Sequence, residues 1–434
     1  MVSPDTTTRR HLGLQIGLAF IIIFLLVRFV GFCLESFTRH SPGFVAAYTA
    51  SRVLLEGEEA SQLYDDAWFA EQVSRFETGI YDIYVNPPTT ALLMLPLAWL
   101  PYPLARGVWT AVNVITLFLL IYWLTRQLNL TGYWFWGVLI LVLLYQPIYA
   151  NIAFGQLYIF SFALLLAVWH GYRQGKEGLT GGALALLFLF KLAGLFLWLL
   201  LLVQKRWSAL AWGGITIAAV ILLTLPWLGT AAWQHHLTTL IQVGQRAERL
   251  VTAYQTWSGF AGHLFTFDAH WNPAPLVNQP TISTLLTGLG AIGLLVVSLV
   301  VTYRVTEYGI RNTEYGLRAV DLPFATFVIL SVILSPLALD YHYPLLLLPI
   351  FILIAQTRQR GTLLSWLLLG VSFFLIAADL PYRSPRLAEG MLALLAYPKL
   401  YGALLLWGLT IFEAIQMNQK SDFSEKSDFS LYET

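Results

Sequence analysis

The sequence has 434 residues, of which 57% are hydrophobic and only 11% charged, whereas soluble proteins carry about 25% charged residues. Such a chain is solvated mostly by lipid, which excludes a secreted globule, a disordered scaffold and a nucleic-acid binder. Lys and Arg together number 25 and Asp and Glu 24, a net charge of +1, so no basic field exists to recruit polyanions.

Residues 12–34 form an apolar run long enough to cross a bilayer, which takes about 20 residues, with Arg28 as its internal charge. The sole cysteine, Cys33, allows neither a disulfide framework nor a cysteine-rich metal site. Arg9, Arg10 and His11 precede the run, which therefore reads as a retained first helix leading out of the cytoplasm. Across 35–85 the acidic residues, from Glu35 through Glu77 to Asp82, outnumber Arg39, Arg52 and Arg75, as suits a non-cytoplasmic loop. Within it Phe44, Tyr48, Arg52 and Leu55 recur at helical spacing, as do Trp68, Phe69, Val73 and Phe76; the spacing predicts two in-plane amphipathic helices.

Further apolar segments follow at 89–100, 105–125, 132–150, 157–170, 179–203, 210–228, 282–303, 324–339, 343–355, 363–378 and 396–415. Alternating crossings place Arg126, Arg173 with Lys176, Lys205 with Arg206, Arg304 with Arg311 and Arg318, and Arg358 with Arg360 on the cytoplasmic side. Segment 89–100 is short for a span, and 179–203 is interrupted by Lys191 and Gly194, so it is one helix or two half-helices. The expected fold is an all-α polytopic membrane protein with roughly 11 to 13 transmembrane helices and extracytoplasmic in-plane helices. Its divisions are 1–34 (N-terminus and first helix), 35–87 (first outer loop), 88–228 (central bundle), 229–280 (second outer loop), 281–416 (C-terminal bundle) and 417–434. That last stretch repeats Ser-Asp-Phe-Ser at 421–424 and 427–430 and reads as a disordered cytoplasmic tail. No long internal repeat is visible, which argues against a transporter built from inverted repeats.

A charge inside an apolar run costs about 2.5–3.5 kcal/mol on insertion scales, so Lys191 needs a reason. An ammonium at a helix break suits a phosphate held below the outer interface; a lysine snorkelling to the interface is the equal alternative. Asp340 and His342, between two late helices, suit sugar binding or proton transfer, or form a polar turn. Asn151, Gly155 and Gln156 end one span and begin the next, where an amide can bond a sugar or phosphate oxygen. His235 and His236 point about 100° apart on a helix and read as interfacial. His263 and His270 complete no metal set, and no cofactor motif is present. Asp379 and Arg383 read as an interface ion pair.

The order of these pieces resembles glycosyltransferase family 87, membrane transferases of GT-C type that use polyprenyl-phosphate sugars. The matching stretches are Phe44, Tyr48, Ala50, Leu54, Leu55 and Gly57; Leu63-Tyr64-Asp65; Tyr84-x-Asn86-Pro87-Pro88; Pro96-Leu97-Ala98-x-Leu100-Pro101; Trp109 and Asn113; Gly155-Gln156; Gly182 and Lys191; Gln204-Lys205-Arg206-Trp207; Trp257-Ser258-Gly259; and Ser335-Pro336-x-x-x-Asp340-x-His342. The resemblance implies a GT-C-like bundle and inverting transfer of a sugar, mannose or arabinofuranose, from a polyprenyl-phosphate donor to a glycan or glycolipid acceptor. It places the chain as a multi-pass protein of the plasma (inner) membrane with an extracytoplasmic active site. Lys191 would hold the phosphate and His342 would line the site, with Gln156, Tyr48 and Tyr341 binding substrate. The family places its catalytic aspartate directly before the phenylalanine of the opening motif, and here that position is Gly43. Either another carboxylate acts, with Glu35 and Asp340 as candidates, or the chain is a non-catalytic relative that binds, flips or helps assemble lipid-linked sugars.

Overall fold

The structure is a computed structural model describing residues 6–80, 82–311 and 316–430, with side chains described for 15–80, 82–306, 320–359 and 361–416. The side chains of Arg9, Arg10, His11, Arg311, Arg318, Arg360 and the tail repeat lie outside the described residues.

Helix α1 (Thr6–Ser36) leads to α2 (Pro42–Glu56), α3 (Asp66–Ser74) and α4 (Pro88–Ala98). A proline opens α2, where its missing N–H goes unneeded. Asp65 caps α3 by accepting the N–H groups of Ala67 and Trp68, each at 3.1 Å. The two loop helices expected from the spacing are therefore present, but α2 is no surface helix. Residues 44–51 of it are all buried, because α4 packs along one side and residues 146–154 meet another. Helix α4 does not cross the bundle. Its start bonds the Leu189 carbonyl through Thr89, while its end returns to α2, where Arg52 donates to the Ala98 carbonyl at 3.0 Å.

The bundle continues through α5 (Tyr102–Gln127), α6 (Tyr133–Leu144), α7 (Gln146–Phe154), α8 (Tyr158–Gln174), α9 (Glu177–Lys191), α10 (Leu195–Val203) and α11 (Trp207–Val243). Segment 179–203 is thus two helices, broken just after Lys191. The second outer segment starts as a continuation of α11 past a kink at Gly229 and contains α12 (Trp257–Phe265). The chain closes with α13 (Pro280–Arg311), α14 (Gly316–Ile333), α15 (Leu347–Arg360), α16 (Leu363–Ala377) and α17 (Pro398–Ser430). Helix α17 thereby takes in the repeat that the polar sequence leads one to expect as irregular chain. No strand occurs among the described residues.

Five of these helices are long and apolar enough to cross a membrane, or six if α6 and α7, bent by 52°, count as one broken crossing. The other apolar segments form shorter helices beside them. Phe20, Leu223 and Trp227 are each 70% exposed; large apolar side chains bared in this way on the long helices are what lipid contact requires. Inside, Phe162, Trp169, Phe327 and Leu353 belong to one continuous core.

The basic turns gather at one end of the bundle. Arg206 donates to Glu177 and, at 3.0 Å, to the Tyr172 carbonyl; Gln204 reaches Thr306 at 3.0 Å; Arg173 lies 3.1 Å from Asp321; Arg358 meets the Asn129 carbonyl at 3.0 Å. The opposite end carries the loop layer of α2 to α4 and the ends of α7, α9 and α14.

Candidate active site

Lys191 is the last residue of α9. The chain then turns through Leu192 and Gly194, both at positive φ (51° and 73°), before α10 begins. The carbonyls that this break exposes are not left orphaned: Thr89 donates to Leu189 at 2.5 Å and Thr90 to Phe190 at 2.7 Å. The first turn of α4 is thus tied to the last turn of α9. That link brings Asn86, two residues before α4, within 2.9 Å of the Lys191 ammonium.

A second amide arrives from the turn between α7 and α8. Gly155 adopts φ +61°, and a Cβ there would lie 2.4 Å from Arg106 Nη1 and from Phe44 Cβ. Arg106 is buried and donates to the carbonyls of Ser36 at 3.1 Å and Ala153 at 2.9 Å; Trp109 Nε1 donates to Gly155 at 2.9 Å. The turn so fixed delivers Gln156 Oε1 to 3.0 Å from Lys191 Nζ. An ammonium has three donors; two are used here, and among the described residues the third has no acceptor. Tyr158 lies beneath, its ring centroid 5.1 Å from Nζ.

Gly43 completes the reason that Gln156 sits where it does. A Cβ on residue 43 would stand 2.1 Å from Gln156 Nε2 and 2.8 Å from the Phe154 carbonyl. The space in which the resemblance places a carboxylate is filled here by the amide that holds Lys191.

The late helix-to-helix turn supplies the remaining wall. His342 packs at a tilt against Tyr158, with ring centroids 4.2 Å apart, and stacks on Tyr341 at 4.8 Å. Its Nδ1 accepts the Leu339 N–H at 3.1 Å, so the neutral ring carries its proton on Nε2, available to an oxygen.

Sequence reasoning also passed over Asp82, as one acidic loop residue among many. Asp82, half-buried in the loop layer, acts electrostatically on Lys191 and on Tyr341. Burial pushes its carboxyl up to about 7, against the opposing pull of the Ile83 N–H and of Lys191. Asn86 and Tyr158 were likewise missed as site residues, although Asn86 sits in a matched stretch; its signal was the Asn-Pro-Pro step that starts α4.

The structure separates the other expected residues from this cluster. Glu35 is exposed at the end of α1 and ion-paired to Arg39. Asp340 does not face His342: its oxygens are taken by the Tyr382 hydroxyl and, at 3.0 Å, by Arg383. Arg383 therefore pairs with Asp340 and not with Asp379, a correction to the expected ion pair. Tyr48 is buried in the loop layer, its hydroxyl on the Leu100 carbonyl at 2.8 Å and its ring against Phe76 and Tyr102, so it braces that layer and does not line the cluster. His236 is buried beside Tyr64 while His235 lies 3.2 Å from the Ser61 carbonyl. Among the described residues no three His, Cys, Asp or Glu side chains group as metal ligands.

The sequence model of glycosyltransferase family 87 matches residues 84–336. The chain belongs to that family. It is accordingly a membrane-embedded glycosyltransferase, with donor and acceptor substrates and lipid around it. Comparison with curated proteins and with solved structures returns no significant match. Asn86, Gln156, Tyr158 and Lys191 fall inside the family match, whereas Gly43, Asp82, Tyr341 and His342 flank it, brought to its core residues by the fold.

Proposed function

We propose that this family 87 glycosyltransferase moves a sugar, mannose or arabinofuranose, from a polyprenyl-phosphate donor to a glycan or glycolipid acceptor, with inversion, on the extracytoplasmic side of the plasma membrane. The observation that carries the reading is the Lys191 ammonium, held by Asn86 and Gln156 at a helix break with, among the described residues, one donor left without an acceptor. Sidedness is supported by the position of the cluster at the end opposite the basic turns, which the positive-inside rule assigns to the cytoplasm.

In this mechanism Asp82 takes the proton from an acceptor hydroxyl as its oxygen attacks the anomeric carbon. The bond from that carbon to the phosphate oxygen breaks, and the polyprenyl phosphate leaves with the electron pair. Lys191, with the Nε2–H of His342, neutralises the charge that develops there. Asp82 replaces Glu35 and Asp340 as the candidate base because it acts electrostatically on Lys191 and, among the described residues, is not held by an arginine. Gly43 supports a second reading, a relative that binds lipid-linked sugar without consuming it.

The test is turnover by the purified protein in lipid, using radiolabelled polyprenyl-phosphate mannose and arabinofuranose with mixed membrane glycolipid acceptors. Lys191→Met is expected to abolish transfer, and Asp82→Asn to lower kcat by about 10²–10⁴-fold, the usual weight of a general base, with Glu35→Gln and Asp340→Asn retaining turnover. Undiminished transfer by Lys191→Met would remove the phosphate role. Saturable donor binding with no lipid phosphate released by the wild type would favour the non-catalytic reading.

A further inference from the structure

Behind the aromatic wall of the cluster lies a cavity of about 370 Å³ bounded by the end of α1, by α7 and by the loop that follows α16. Its lining combines two kinds of surface. Phe32, Tyr149 and Phe154 present aromatic rings, and Gln146, Asp379 and Arg383 bring planar polar groups to the same space. Asp340 also borders it, buried and held in place by the Tyr382 hydroxyl and Arg383, and Arg39 stands opposite, its guanidinium 5.9 Å from the Phe32 ring.

We propose that this cavity is the subsite for an acceptor sugar, a neutral carbohydrate ring packed on the aromatic faces and hydrogen-bonded by Gln146, Asp379 and Arg383. The inference rests on the glycosyl-transfer reading. The chemistry favours a polyol over an anion: Arg39 is paired with Glu35 and Arg383 with Asp340, and Asp379 adds a negative charge, so no positive field draws a phosphate. Planar amide, carboxylate and guanidinium groups suit the paired hydroxyls of a sugar, whose C–H faces pack on aromatic rings. The volume falls within the range of about 300–1,000 Å³ usual for small-molecule sites. Its place suits an acceptor, since Phe154 lines the cavity and its ring also stands 5.5 Å from Tyr341, which stacks on His342. A sugar here is therefore one aromatic layer away from the Lys191 cluster, the place of a neighbouring ring of the acceptor glycan and not of the ring whose hydroxyl reacts.

The experiment uses the full chain in lipid nanodiscs, with octyl mannoside and octyl arabinofuranoside as probes and diazirine-bearing versions of both for photolabelling. Labelling is expected in the peptides carrying residues 146–154 and 379–384, and to be competed by the plain octyl glycosides. Asp379→Ala and Gln146→Ala are expected to weaken octyl glycoside binding by about tenfold, as loss of a hydrogen bond worth about 1.4 kcal/mol would do. Polyprenyl-phosphate mannose binding should be unchanged in both, and in turnover the acceptor KM should rise with kcat retained. Unchanged glycoside affinity in both variants, labelling confined to other peptides, or competition by phosphatidylglycerol in place of the glycosides would overturn the proposal. Because binding is read without turnover, the two readings separate. Sugar binding at these peptides with no donor consumed sinks the transfer and keeps the subsite; donor consumption with no sugar bound here does the reverse.

Discussion

At residue 43 the loss of a side chain and the gain of a contact are one event. With no Cβ in the way, the Gln156 amide lies against the first turn of α2 and still reaches Lys191 at 3.0 Å. Acid-base work then needs a carboxyl from elsewhere, and the candidate is Asp82, whose burial raises it to about 7. The sign of its pH dependence follows. A base must be ionised to accept a proton, so kcat/KM should climb as pH rises through about 7. Stability runs the other way. The ordinary Asp value is about 3.9, so between there and about 7 the folded chain binds more protons than the unfolded one, and the stability from burying neutral Asp82 is lost as pH rises through that window. A pH series on wild type and Asp82→Asn, reading both kcat/KM and the thermal midpoint, checks this. The variant should lose most of its activity, and both of its curves should lose the inflection near 7; an inflection that survives the substitution would assign it to another group.

At the scale of elements, the site is made of helix ends and turns. The end of α9 contributes Lys191, the approach to α4 contributes Asn86, the turn between α7 and α8 contributes Gln156, and the turn before α15 contributes His342. The α7–α8 turn is the most constrained of these, since Gly155 combines φ +61° with a position where an added Cβ would meet Arg106 and Phe44. Gly155→Ala should therefore cost about 2–5 kcal/mol, the sum of the left-handed penalty and overpacking. Thermal unfolding in detergent would show this as a lowered midpoint, with donor affinity falling as Gln156 is displaced; an unaltered midpoint would mean that the turn is not a rigid mount. The sequence makes these elements partly legible. Apolar length marks the long helices, helical spacing marks α2 and α3, and a lysine in a leucine-rich run marks Lys191, because each is a local signal. The lie of α4 along α2 and the grip of Tyr382 and Arg383 on Asp340 depend on contacts between residues 40 or more positions apart, such as Ser51 with the Ala91 carbonyl. No local periodicity encodes them.

For the whole molecule, the arrangement divides charge by ends. The turns bearing Arg173, Lys176, Lys205 and Arg206 are drawn together by the Arg206 contacts with Glu177 and Tyr172, and Asp321 offsets Arg173. The opposite end holds the loop layer, in which Arg52 and Arg75 both engage Glu56. In the proposed reading the positive turns set the orientation in the bilayer, and with it the compartment from which the sugar acceptor comes. The single buried cysteine, Cys33, makes this measurable. In a Cys33→Ala background, cysteines introduced at exposed Glu58 in the loop layer and at exposed Lys205 in the basic turns should respond oppositely to an impermeant maleimide. Intact spheroplasts should label the first, and only permeabilised ones the second. The reverse pattern would put the Lys191 cluster on the cytoplasmic face, where acceptor and donor would both have to be presented from inside the cell. The proposed direction of transfer, from a lipid carrier to an outer glycan, would then fail even if the chemistry at Lys191 held.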